Sequence, residues 1–172
     1  GLDLWSKRTT DLVVDKWYAA GDYHRDHGEG LDYYSVGMTL GAGDIAPFAD
    51  DTVVFSKHYR TYEILDNGPL RTTFRLSYNP WQVGGRMVSV VKQFTLDVGS
   101  QLNRVEVAYS FDEDGKLPVA IGIARRNNNG GLLLQEGQQG IFGYWEPEIG
   151  DHGITGVGAV VGERGYGRRD RS

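Results

Sequence analysis

The clearest order in the chain is a two-residue alternation of apolar and polar positions. From Leu70 to Tyr78, Leu70, Phe74, Leu76 and Tyr78 take one face while Arg71, Thr73, Arg75 and Ser77 take the other, the signature of a half-buried antiparallel strand. Leu102 to Phe111 repeats it, with Asn103, Val105, Val107, Tyr109 and Phe111 opposite Arg104, Glu106, Ala108 and Ser110. Further strands are predicted over Thr52 to Leu65, Arg86 to Val98, Leu117 to Ala124, Leu132 to Gln135, Gly140 to Trp145 and Ile154 to Val161. Turn signals separate them: Asp66-Asn67-Gly68-Pro69, Asn79-Pro80 with Gly84-Gly85, Gly99-Ser100-Gln101 and Asp112-Glu113-Asp114-Gly115-Lys116. Asp11 to Ala20 is the best helical window, and a weak one. Many short strands with regular turns predict an all-β chain, an antiparallel sandwich or barrel.

Composition narrows the picture further. Glycine supplies 25 of 172 residues, about twice ordinary usage, and is scattered as punctuation between strands. The length predicts one domain over residues 1–162, and the arginine-rich tail from Glu163 to Ser172 reads as disordered or peripheral. A net charge of −5 argues against a polyanion-binding surface, so no nucleic-acid partner is expected. The absence of cysteine excludes disulfides, thiolate catalysis and cysteine-ligated zinc. No apolar run reaches the roughly 20 residues of a membrane span, and Gly1-Leu2-Asp3-Leu4-Trp5 lacks the regions of a signal peptide. Because the chain opens without an initiator Met, a removed leader or a missing N-terminal portion is expected.

Candidate chemistry concentrates between Tyr23 and Tyr34. Those twelve residues hold two of the four histidines, three carboxylates and three tyrosines, broken by Gly28 and Gly30. Such a density of titratable groups is poor core material, since a buried charge must be paired. His24 or His27 can serve as a general base and Tyr23 as an acid, with Tyr33 and Tyr34 against a ligand. Asp26, Glu29 and Asp32 can orient the imidazoles or, with them, hold a divalent metal, although the spacing matches neither the zinc-protease helix nor the calcium loop. The plain alternative is a loop whose polar groups satisfy one another.

Three other stretches carry functional residue types. On a regular strand His58, Arg60 and Tyr62 share one face at about 7 Å intervals, and an arginine there can clamp a carboxylate. Trp145, beside Glu146, is a core plug or a sugar-stacking platform, with the core favoured. Arg125 opens a polar loop, Arg125 to Gly131, that can rim an anionic pocket or form a plain turn.

Together, Tyr23 to Tyr34, Leu40-Gly41-Ala42-Gly43, Arg60 to Arg71, Asp97 to Arg104 and Tyr144-Trp145-Glu146-Pro147 resemble a family of bacterial domains, long of unknown function, found in polysaccharide-utilisation loci beside lyases and glycosidases. The resemblance runs from about Leu2 to Val161. It implies a periplasmic or secreted carbohydrate-active protein with a large galactose-mutarotase-like β-sandwich, akin also to polysaccharide lyases. A similar protein is a dehydratase acting on uronate-containing oligosaccharides from ulvan. Members are considerably longer, which predicts that this chain is a partial domain.

The expected activity is β-elimination of water or of a glycosidic leaving group from a uronate. It needs a base (His24 or His27), a carboxylate clamp (Arg60) and an acid (Tyr62 or Tyr23), with His58, Arg125, Trp145 and Glu146 placed against substrate. A sugar-binding module without catalysis, or a hydrolase using paired carboxylates such as Asp26 and Glu29, are the alternatives. The oligomeric state is left open.

Overall fold

The computed structural model of the chain describes residues 1–32, 36–112, 115–125, 131–136, 140–148 and 153–162. The described residues are nearly all β, 51% in strands and 5% in helix, built from several antiparallel sheets as a sandwich is. The chain forms two compact units, one from Gly1–Asp44 with Ile121–Ser172 and the other from Ile45–Ala120.

In the first unit, β1 (Ser6–Lys7) pairs with β2 (Gly30–Leu31), and α1 (Val14–Ala20) lies between them in sequence. The expected helix is thus present but confined to seven residues. Gly21 ends it, its N–H donating to the carbonyls of Trp17 and Tyr18. The strands β11 (Leu132–Glu136), β12 (Ile141–Trp145) and β13 (Gly156–Val160) form an antiparallel sheet later in the chain. The strands β3 (Ala42–Ala49), β4 (Thr52–Val53) and β10 (Val119–Ile123) form a sheet in the order β10-β3-β4.

The second unit holds a five-stranded antiparallel sheet of β5 (Tyr59–Asn67), β6 (Arg71–Tyr78), β7 (Trp81–Val83), β8 (Arg86–Asp97) and β9 (Arg104–Phe111). Register accounts for its two faces. Tyr62, Leu76, Lys92 and Val107 align across β5, β6, β8 and β9, as do Ile64, Phe74, Phe94 and Val105. The rings of Phe74 and Phe94 stack at 4.9 Å. On the opposite face Glu63, Arg75, Gln93 and Glu106 align as a polar ladder, with Arg75 bonded to both Glu63 and Gln93. The alternation of β9 therefore sorts as expected, whereas on β6 Thr73, a residue of the polar face, is the buried one. A lysine interrupts the apolar face: Lys92 is buried, its ammonium donating to the Ile45 carbonyl at 3.2 Å and lying over the Tyr78 ring.

Two expectations change. The run from Thr52 to Leu65 is two strands, because β4 ends at Val53 after a hairpin turn at Asp50-Asp51 and β5 starts only at Tyr59. The stretch between Asn79 and Gly85 is not all turn, since Trp81–Val83 pairs with Arg86–Val88 across Gly84-Gly85.

Candidate functional site

The segment from Tyr23 to Asp32 is a loop closed by its own ends, the Asp32 N–H donating to the Tyr23 carbonyl at 2.9 Å. Its glycines are required by position. Gly28 and Gly30 have φ of 94° and 120°, where other residues are strained. At Gly30 a Cβ would lie 2.1 Å from the Ser6 carbonyl oxygen, so β2 can approach β1 this closely only with glycine.

Within the loop the carboxylates are already engaged. One Asp26 oxygen accepts from the Gly28 and Gly30 N–H groups at 2.8 and 3.2 Å, and the other meets the Arg8 guanidinium. The Arg8 bond, followed by the Gly28 amide, holds Asp26 below the ordinary carboxylate range. Glu29 takes both oxygens to the Lys16 ammonium, at 2.7 and 2.8 Å, and one also to the Trp17 indole N–H at 3.4 Å. The Lys16 bond, then that of Trp17, lowers its pKa. Among the described residues no three His, Asp or Glu side chains converge as a metal ion requires. The cations Arg8 and Lys16, which sequence reasoning did not connect to this segment, come from outside it.

His24 is placed differently. Its Nδ1 lies 3.3 Å from the Asp32 carbonyl oxygen and 3.4 Å from Asp32 Oδ2. Asp32 is 7% exposed, whereas the His24 side chain is 64% exposed. Both neighbours of Nδ1 are acceptors, so we assign the ring proton to Nδ1, which leaves the Nε2 lone pair available. His27 has no such support: its Nε2 is 3.3 Å from Asp22 Oδ2 with both side chains about half exposed, a surface pair that positions little.

Aromatic rings adjoin this pair. Tyr23 contacts His24 at 4.4 Å between ring centroids and stacks on Trp5 at 5.1 Å. Trp5 in turn stacks on Trp17 at 5.7 Å, and Tyr18 touches both Trp5 and Tyr23. Trp5 is delivered by the segment leading into β1, while Trp17 and Tyr18 come from α1. A cluster assembled from pieces this far apart in sequence left no local motif; the abundance of Trp and Tyr was its only signal.

In the second unit the expected row of His58, Arg60 and Tyr62 is broken. His58 precedes β5, and a register shift between Tyr59 and Thr61 places a bulge at Arg60. The Tyr59 and Tyr62 rings consequently meet edge-on at 6.5 Å, which regular alternation would put on opposite faces. Arg60, Tyr62 and His58 are all exposed.

In the first unit the favoured core role of Trp145 is overturned. Trp145 is 54% exposed and its neighbour Tyr144, at 2%, fills the interior. The Trp145 ring lies across Gly156, its register partner, where a Cβ would meet the ring at 2.4 Å. Arg125 lies over the Tyr144 ring at 5.6 Å, so it packs on the sheet that carries Trp145, and Glu146 is buried. Tyr33 and Tyr34, the rest of the Arg125 loop from Arg126 to Gly130, and the tail from Glu163 lie outside the described residues.

Comparison with known proteins places the chain in a family. An uncharacterized protein, P7, from Formosa agariphila is 35% identical over 156 residues, covering 88% of this chain. The chain spans 38% of the length of that relative. No solved structure matches. A family model described as a domain of unknown function, DUF4861, matches residues 1–171, and the chain belongs to that family.

Proposed function

We propose that the chain is a carbohydrate-active protein that acts on uronate-containing oligosaccharides by β-elimination. The observation that carries this reading is the His24–Asp32 pair, an exposed imidazole whose Nδ1 is engaged by a buried aspartate. That is the arrangement of a general base, with one nitrogen oriented and the other presented to substrate.

In the reaction, Nε2 of His24 takes the proton α to the uronate carboxylate. The C–H electrons form the new carbon–carbon double bond, the β carbon–oxygen bond breaks, and the departing oxygen takes a proton from the Tyr23 phenol. Tyr23 is preferred to Tyr62 as the acid because its ring contacts His24. The charge states of Asp26 and Glu29 disfavour a paired-carboxylate hydrolase, which needs one acid held protonated, whereas both are pushed toward ionisation. The antiparallel sheets are consistent with a sandwich, and the sequence resemblance alone supports the galactose-mutarotase-like form and work in the periplasm or outside the cell.

The test is substitution. His24→Ala and Tyr23→Phe should each lower turnover of uronate oligosaccharides by roughly a hundredfold or more while the circular-dichroism spectrum stays that of the parent. Full turnover in either variant removes that residue from the mechanism.

A further inference from the structure

The apolar face of the five-stranded sheet is covered over only part of its area. Along β8, the residues on that face lose cover in order, from Val88 at 0% exposed through Phe94 at 8% to Leu96 at 39% and, just past the strand, Val98 at 66%. The covered end is where Lys92 and Tyr109 both donate to the Ile45 carbonyl. At the bare end the face continues into Leu70, whose carbonyl accepts from the Val98 N–H, and across Phe74 to Ile64. Register with Leu76 and Tyr78 puts Tyr62 and Tyr59 on the same face of β5. Leu70, Tyr62, Ile64 and Tyr59 are all exposed.

Tyr59, Tyr62, Ile64, Leu70, Leu96 and Val98 together leave roughly 600–700 Å² bare, at or above the largest apolar patch usual on a lone domain. None of the six is charged at neutral pH, and the flanking ion pairs Arg71–Asp97 and Glu63–Arg75 lie on the opposite face, each satisfied within the sheet. A surface with no charge to match is complementary to itself, as a two-fold interface requires. Addition of a strand along the edge of β5 is hindered, because register shifts at Arg60 and Leu65 interrupt its pairing groups. Packing face to face, as the layers of a sandwich do, is what remains. Two such faces with their polar rims approach the roughly 800 Å² per partner of a standard interface. We infer that the bare end of this face is the interface with a second copy of the chain, the two sheets packing across a two-fold axis.

Sedimentation equilibrium of the full chain from about 1 to 100 µM tests it. The wild-type chain should reach twice the monomer mass within that range. Ile64→Lys and Val98→Lys, at exposed positions on two different segments of the face, should each weaken association about 30-fold or more, the loss expected at the centre of an interface, while the circular-dichroism spectrum stays that of the parent. Thr61→Lys, exposed on the opposite face of β5, should leave association unchanged. Should Ile64→Lys fail to fold, Val98→Lys decides. A wild-type chain that stays monomeric throughout overturns the interface, as does association that survives in the folded Lys variants of the face. An equal loss in Thr61→Lys also overturns it, since the contact would then follow the β5 edge rather than this face.

Discussion

Replacing Gly30 by alanine is the sharpest structural test of how the His24 loop is built, because Gly28→Ala, two residues away, serves as its control. Both glycines have positive φ, so alanine at either costs roughly 1–3 kcal/mol of backbone strain, offset by about 0.4–1 kcal/mol from the restricted unfolded chain. The difference lies in space. At Gly28 nothing stands within 4 Å of an added Cβ, whereas at Gly30 it meets Ser6 O at 2.1 Å and Lys7 Cα at 2.7 Å. Those are main-chain atoms that no rotamer change can move aside. Relieving the clash must shift β1 from β2, adding about 1–3 kcal/mol in the manner of overpacking. Urea unfolding followed by tryptophan fluorescence reads the result, since Trp5 and Trp17 stand beside β1. With a slope of about 1–3 kcal/mol/M, the Gly30→Ala midpoint should fall about 0.3–3 M below that of Gly28→Ala. Equal midpoints would refute the close approach of β1 and β2.

Three further outcomes are expected. Tyr144→Ala should destabilise the chain by about 3–5 kcal/mol, and Trp145→Ala by about 1 kcal/mol or less; equal losses in denaturant titration would contradict the assignment of Tyr144 to the interior. Asp26, Glu29 and Asp97 have pKa values depressed below their ordinary 3.8, 4.5 and 3.8, chiefly by bonds to Arg8, Lys16 and Arg71. Their stabilisation is present above those ordinary values and is lost as pH falls from about 4.5 through the depressed folded-state values. Arg8→Ala should flatten the Asp26 share of an acid-unfolding curve; an unchanged curve would remove the pair. Asp32→Asn should lower turnover about 10- to 100-fold with little change in KM, and an unaltered rate would leave His24 without an orienting partner.

Much of the second unit was legible because β8 and β9 alternate between a more buried and a more exposed face, whereas β5 is exposed along its whole length. Phe74 and Arg75 declare opposite sides of β6 in sequence, and the register with Phe94 and Gln93 shows why. The chain from Ala42 to Ala49 offered no such pattern: Gly43, Asp44 and Pro47 are poor strand formers, and β3 exists through its neighbours β10 and β4. The bulge at Arg60 was equally hidden, because an extra residue is a property of a strand pair rather than of either strand alone.

At the candidate site the titratable residues announced themselves but their partners did not. The segment from Tyr23 to Asp32 has few cations of its own, and Arg8 and Lys16 reach it from the N-terminal segment and α1. Those contacts distinguish Asp26 and Glu29, which are tied down, from His24, which is oriented and exposed. The aromatic cluster depends in the same way on β1 and α1 meeting the loop, so Trp5 carried no mark in sequence of its place beside Tyr23.

Elimination at a uronate is tested most directly by ultraviolet absorbance of the purified chain mixed with uronate oligosaccharides. A rise from the new conjugated double bond, absent in His24→Ala, is the predicted result, and product mass then separates loss of water from chain cleavage. A flat trace from folded wild-type protein that binds the same oligosaccharides would contradict it and leave a sugar-binding module.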